Sequence, residues 1–321
     1  MANLKEGGHS SAFLVEGGKR MGKAHKKIEI SPAFMRMLGI EIVRGSQERR
    51  FQVMAVVLFL FCVLSVALNA VYPLSLYYHG GEKGLVIWGH WGFTSYNACR
   101  SVLDNTLWKV YFPFIAAAAY AHVLPDERKS GYAEQLIMKV GFGRYIAVKL
   151  CACGILGGIV GAVPVMSMII ISVFGIHFNP FLKDAVQYFE AEQQAEKFQL
   201  RWNGAVLAED VSLMKILLLG ILCWFLLGMV FGLVAGFIGI WTENKLMIYM
   251  MPVVGLQLWD LCVYLQPLSG LKKVYIKNYM GFLNLGNLDG YQVFVGLLIS
   301  LVCISVLFYP KMQNKYSEGG R

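Results

Sequence analysis

Charge is scarce in this chain: of 321 residues, 15% are Asp, Glu, Lys or Arg, while 57% are hydrophobic. A soluble domain of that size needs more polar surface, so the composition excludes a soluble globular chain and indicates a polytopic membrane protein. Signatures of chemistry are missing too. No G-x-x-x-x-G-K-[ST] segment occurs, so the chain has no phosphate-cradling loop of its own. The sequence also lacks H-E-x-x-H, G-x-S-x-G and any Cys/His cluster with metal-ligand spacing. The seven cysteines make no disulfide framework: Cys99 alone lies in an outward loop, and Cys151-Ala-Cys153 has one intervening residue where zinc and thioredoxin-type pairs have two. They read as small packing residues.

What is present is a series of apolar runs near bilayer-spanning length. Six are expected to cross a hydrocarbon core of about 30 Å: Phe51–Val71, Leu107–Val123, Tyr145–Ile176, Leu213–Ile240, Leu246–Gln266 and Tyr291–Tyr309. Arg49-Arg50 and the run ending Ala67-Leu-Asn-Ala70 have the outline of a signal peptide. The run begins too far into the chain for that and reads as an uncleaved first span. The formal charge of +9 is uneven. Basic residues crowd the segment before the first span, the 125–150 connection (Arg128, Lys129, Lys139, Arg144, Lys149), Lys245 and the tail (Lys311, Lys315, Arg321). The positive-inside bias therefore places both termini in the cytoplasm of a multi-pass protein of the cell membrane. It also accounts for the basic balance with no nucleic-acid partner.

Four regions follow. Residues 1–30 read as a mobile cytoplasmic tail. Residues 31–50 read as an interfacial amphipathic helix: Ser31 can cap it, Pro32 suits its first position, and Phe34, Met37, Leu38 and Ile42 recur at helical steps among Arg36, Arg44, Arg49 and Arg50. A continuous extension of the first span is the alternative. Residues 51–309 form the six-helix membrane domain, and 310–321 a cytoplasmic tail. Between spans three and four, residues 177–212 are helix-forming in composition, with Leu182, Val186, Phe189 and Phe198 near helical spacing. Residues 267–290 have the amphipathic, Gly-punctuated character of a re-entrant element. Glycines at four-residue steps (Gly154, Gly158; Gly228, Gly232, Gly236) allow close helix approach, either within the chain or at a dimer seam.

Two features carry function. Asp260 lies deep in the fifth span, where a carboxylate is costly unless it is paired or faces water; it either lines a substrate path or bonds a partner. The other is PDERKSGYAEQLIMKVGFGRYIAVKL, from Pro125 to Leu150, a short helix of about 127–140 tied directly to two spans. Glu127, Arg128 and Lys129 offer rim charges for a soluble partner, and Tyr132, Leu136 and Ile137 an apolar anchor. Ser130 can cap the helix, with Glu134 in its first turn; Gly141 and Gly143 allow a sharp return into the membrane, where Arg144 and Lys149 meet headgroups. An ordinary amphipathic loop resting on lipid would explain the same charges.

The order E-R-K-S-G-Y-A-E-Q-L-I … R-Y-I-A-V-K resembles the coupling segment of ABC-2 type transporter permease subunits, matching at Glu127, Gly131, Leu136 with Ile137, Arg144 and Lys149. The motif covers about twenty-five residues; Val140-Gly-Phe-Gly departs from the Pro/Ser turn often found there. The resemblance implies an all-α, polytopic fold of six transmembrane helices with an N-terminal interfacial helix and a short cytoplasmic coupling helix. It implies a non-catalytic permease subunit of an ATP-driven transporter, with export favoured. Its partners would be a cytoplasmic ABC ATPase subunit, a second permease subunit and membrane lipid. This chain would bind no cofactor, ATP residing on the partner. Alternatives are an ion-coupled carrier, channel or membrane enzyme using Asp260, or a sensing or immunity subunit that docks an ATPase without transporting.

Overall fold

Pro32 opens the first helix of the computed structural model, which describes residues 32–65, 106–170, 198–202, 205–265, 276, 280 and 287–318. Helix α1 (Pro32–Gln47) buries Leu38, Glu41 and Gly45, three- and four-residue steps that put them on one face. That face packs on a long helix further along the chain. The approach is close: a Cβ on Gly45 would run into the side chains of Leu156 and Tyr120. Met35, Ile40 and Val43 remain exposed on the other side. The helical path bends at Glu48 and resumes as α2 (49–65), so α1 and α2 are separate helices.

The rest of the described residues are mostly helical. They form α3 (Thr106–Ala118), α4 (Val123–Lys129), α5 (Tyr132–Val140), α6 (Phe142–Ile170), α7 (Leu213–Trp241), α8 (Lys245–Leu265) and α9 (Asp289–Glu318). Within them, Phe142–Ile170, Lys215–Trp241 and Asp289–Lys311 are long and apolar enough to cross a membrane. Helices α6 and α7 have 29 residues each, about 43 Å at 1.5 Å per residue. Helix α3 ends at Ala118, before a turn at 119–122, so it stops short of the Val123 end expected for the second span from hydropathy. The expected first span runs past Ser65 into residues outside those described.

The most extensive packing joins α6 to α7, and glycine explains it. A Cβ on Gly157 would stand 2.7 Å from the Gly228 carbonyl oxygen, and one on Gly161 2.6 Å from that of Trp224. Cβ atoms on Gly228 and Gly232 would strike the backbone of Gly157 and Cys153. The small residues are thus a seam between two helices of one chain, where backbones approach too closely for any side chain. Trp224 and Phe112, both fully buried, meet edge-to-face at 4.8 Å beside it.

One segment departs from the all-helical expectation. Phe198–Trp202 and Ala205–Val211 form an antiparallel hairpin, β1–β2. The helix-forming composition of 177–212 therefore does not extend to Phe198, which begins a strand; residues 177–197 lie outside those described. The hairpin meets the start of α9 through Leu288 N–H donating to the Arg201 carbonyl at 2.8 Å.

Candidate functional site

Four consecutive charges on α4 organise one end of the bundle. Helical geometry turns successive side chains by about 100°, so Asp126, Glu127, Arg128 and Lys129 point in four directions. Asp126 pairs with Lys245 at 2.6 Å, at the start of α8. Arg128 donates to the Ile240 carbonyl at 2.6 Å, in the last turn of α7. Lys129, exposed, lies 3.9 Å from Glu243 in the α7–α8 connection. Glu127 turns into the protein.

Around Glu127 the helices share a buried ionic cluster. Lys149 of α6, 1% exposed, places its Nζ 2.7 Å from Glu127 Oε1 and 2.7 Å from Glu41 Oε2 of α1. Arg44 of α1 donates to Glu127 Oε1 at 2.6 Å. Tyr145 donates to Glu127 Oε2 at 3.0 Å, and Tyr120, in the turn after α3, donates to Glu41 Oε2. Two carboxylates are thus matched by two cations and two phenols, which is what allows charge to be held at this depth. The Arg44 guanidinium is raised above its usual range: desolvation works against this, but the hydrogen bond and charge of Glu127 outweigh it. Its guanidinium also stands 5.6 Å from the ring centroid of Tyr132 on α5. His122 is held as well, its Nε2 2.8 Å from Glu48 Oε2.

Helix α5 joins α4 to α6, two of the helices of this hub, and lies between two glycines. Gly131 at φ 72 turns the chain out of α4, and Gly141 at φ 86 turns it into α6; a side chain is strained at either position. The short helix buries Ala133 and packs Leu136, Ile137 and Val140 against the core. Tyr132, Glu134, Gln135, Met138 and Lys139 are exposed, Met138 at 80%.

This arrangement corrects several expectations. A single helix over 127–140 is instead two, α4 and α5, broken at Ser130-Gly131. Glu127 and Arg128, expected on a docking rim, face inward because α4 is wrapped by α1, α6 and α7. Lys149, expected at the headgroups, is the centre of the cluster. Leu136 and Ile137 are half-buried against the core, so the exposed apolar groups are Tyr132 and Met138, the latter not singled out by the sequence. Ser130 does not cap α5: Gly131 holds that position, and the Ser130 hydroxyl donates to the Glu127 carbonyl at 3.1 Å. Lys129, Glu134 and Arg144 are exposed. Asp260 is buried on α8, fifteen positions beyond Lys245 and hence about 22 Å from it along the helix axis. Glu41, Tyr120 and Arg44 had one signal in the sequence: an acid at mid-helix on the buried face of α1.

Among the described residues, no group of three or more His, Cys, Asp or Glu is placed to hold a metal ion. The fold is that of a helical protein with three helices long and apolar enough to cross a membrane. Comparison of the chain with protein-family models, curated proteins and solved structures found no match.

Proposed function

We propose that this chain is the membrane permease subunit of an ATP-driven transporter resembling the ABC-2 type, working as an exporter. In this reading six spans cross the cell membrane, both termini are cytoplasmic, α1 lies at the inner interface, and α5 is the coupling helix. A separate ABC ATPase subunit binds and hydrolyses ATP, and a second permease subunit completes the path. The chain catalyses nothing.

The observation that carries this is the mounting of α5. Its outer face, with Tyr132 and Met138 among Glu134, Gln135 and Lys139, has the mixed apolar and charged character of a docking knob. Its inner face packs Ala133, Leu136, Ile137 and Val140 on the core, Tyr132 stands beside Arg44, and both flanking helices, α4 and α6, enter a cluster shared with α1 and the turn after α3. A loop resting on lipid needs no such mounting. A lever does, because a push on α5 must reach the long helices instead of dissipating in a flexible connection. The buried ion pairs are costly to rearrange singly, so the ends of α1, α4 and α6 move as a unit.

Affinity purification of the tagged chain tests the reading. A Walker-motif ATPase should copurify with the wild type and be lost with Met138→Asp, whose side chain contributes little to the fold. Absence of any ATPase from the wild-type preparation would reject the coupling role. Loss of transport in Asp260→Asn, with transport indifferent to the ATPase, would favour an ion-coupled carrier.

A further inference from the structure

A groove of about 620 Å³ lies between α2, α3 and α8, lined by Arg49, Arg50, Val53, Met54, Phe114, Ala118, Lys245 and Tyr249. Its volume is that of an ordinary ligand site. Its walls have a consistent polarity. On α2, Arg49 and Arg50 are followed one turn later by Val53 and Met54; on α8, Lys245 is followed one turn later by Tyr249. On α3, which ends at this level, the groove is met by Phe114 and Ala118. Three cations therefore ring one end, and apolar side chains with the Tyr249 ring line the rest, with the change made within about 6 Å.

The charge at that end is in excess. Lys245 is already matched by Asp126 at 2.6 Å. Among the described residues no carboxylate forms an ion pair with Arg49 or Arg50, and both are exposed; Arg50 hydrogen-bonds the Tyr249 hydroxyl, which leaves its charge unneutralised. The α8 N-terminus adds its partial positive charge beside them. An occupant must then carry an anionic head compact enough for two guanidinium groups and an apolar body that continues along Val53, Phe114 and Tyr249. A free inorganic anion leaves the apolar wall uncovered, and a neutral lipid leaves the arginines unmatched.

We propose that this groove binds one anionic phospholipid from the adjoining leaflet, its phosphate held by Arg49 and Arg50 and an acyl chain lying along Val53, Met54, Phe114 and Tyr249. Basic pockets between helices at the cytoplasmic membrane surface are suited to such headgroups. The site depends on the membrane placement of the chain and not on ATPase coupling, so it is tested with the permease alone.

The experiment is native mass spectrometry of the purified chain, released from mixed micelles carrying phosphatidylglycerol and phosphatidylcholine in equal amounts. The wild type should retain one phosphatidylglycerol per chain in preference to phosphatidylcholine. Arg49→Gln with Arg50→Gln should weaken retention about thirtyfold, the scale for removing two basic groups at an anionic lipid surface. Val53→Trp, which fills the groove and leaves the charge intact, should also abolish retention. Lys311→Gln and Leu60→Trp, outside the groove, should not. Equal retention of the two lipids by the wild type would overturn the proposal without recourse to any variant. So would retention unaffected by Val53→Trp, which would mean an anion held by surface charge alone, or a groove filled by a second copy of the chain.

Discussion

Replacing Lys149 by Met removes the cation shared by two buried carboxylates. The substitution conserves most of the side-chain volume, so its effect is electrostatic. The two oxygens that Lys149 bridges each lie 2.7 Å from its Nζ and so stand no more than about 5.4 Å apart. At an effective dielectric constant of about 20, their mutual repulsion is about 3 kcal/mol once the ammonium is gone. Glu127 keeps Arg44 at 2.6 Å, but Glu41 keeps only Tyr120 and, at 3.9 Å, the edge of Arg44. Loss of one member of a buried ion pair costs about 3–5 kcal/mol, and both routes give the same range. SDS-titration unfolding in mixed micelles should show Lys149→Met destabilised by that amount. Adding Glu41→Gln should recover most of the loss, because a neutral amide still accepts from Tyr120 and Glu127 remains paired. Refutation would be a Lys149→Met protein within about 0.5 kcal/mol of wild type, the range of an indifferent surface change. Failure of Glu41→Gln to rescue would refute it equally.

Further predictions concern the seam, the turn and the knob. Gly228→Ala should cost about 1–3 kcal/mol by overpacking against the Gly157 backbone, whereas Gly255→Ala, with nothing within 4 Å of a Cβ, should be neutral or stabilising in the same titration. Gly131→Ala should cost about 1–2 kcal/mol because φ 72 is strained for a side chain, and Gly131→Asn should cost less. Met138→Asp should leave stability within about 0.5 kcal/mol of wild type while abolishing ATPase copurification. Leu136→Asp should instead lower stability, since that side chain packs on the core.

The long helices were legible because their signal is local. The apolar runs of α6, α7 and α9 and the Pro32 start of α1 can be read from neighbouring residues alone. The two stops of α5 were half legible: Gly141 was expected to turn the chain, while Gly131 entered through the family likeness and its break in the 127–140 helix did not show. The hub was not legible, because Lys149 lies 108 residues from Glu41 and 22 from Glu127, and no local pattern brings them together. A lysine near a span end snorkels by default, and four charges in a row look solvated until the helices around them are known. The hairpin escaped for a different reason: the Glu-, Gln- and Ala-rich stretch before it outweighed the alternation of Phe198, Leu200 and Trp202.

If α5 receives force from a separate ATPase, its exposed face meets that subunit in the cell. A photo-crosslinking amino acid at position 138, activated in intact cells, addresses it most directly. An adduct with a Walker-motif ATPase, changing in yield as nucleotide is depleted, is the expected result. Adducts with lipid alone, at a side chain 80% exposed, would contradict it.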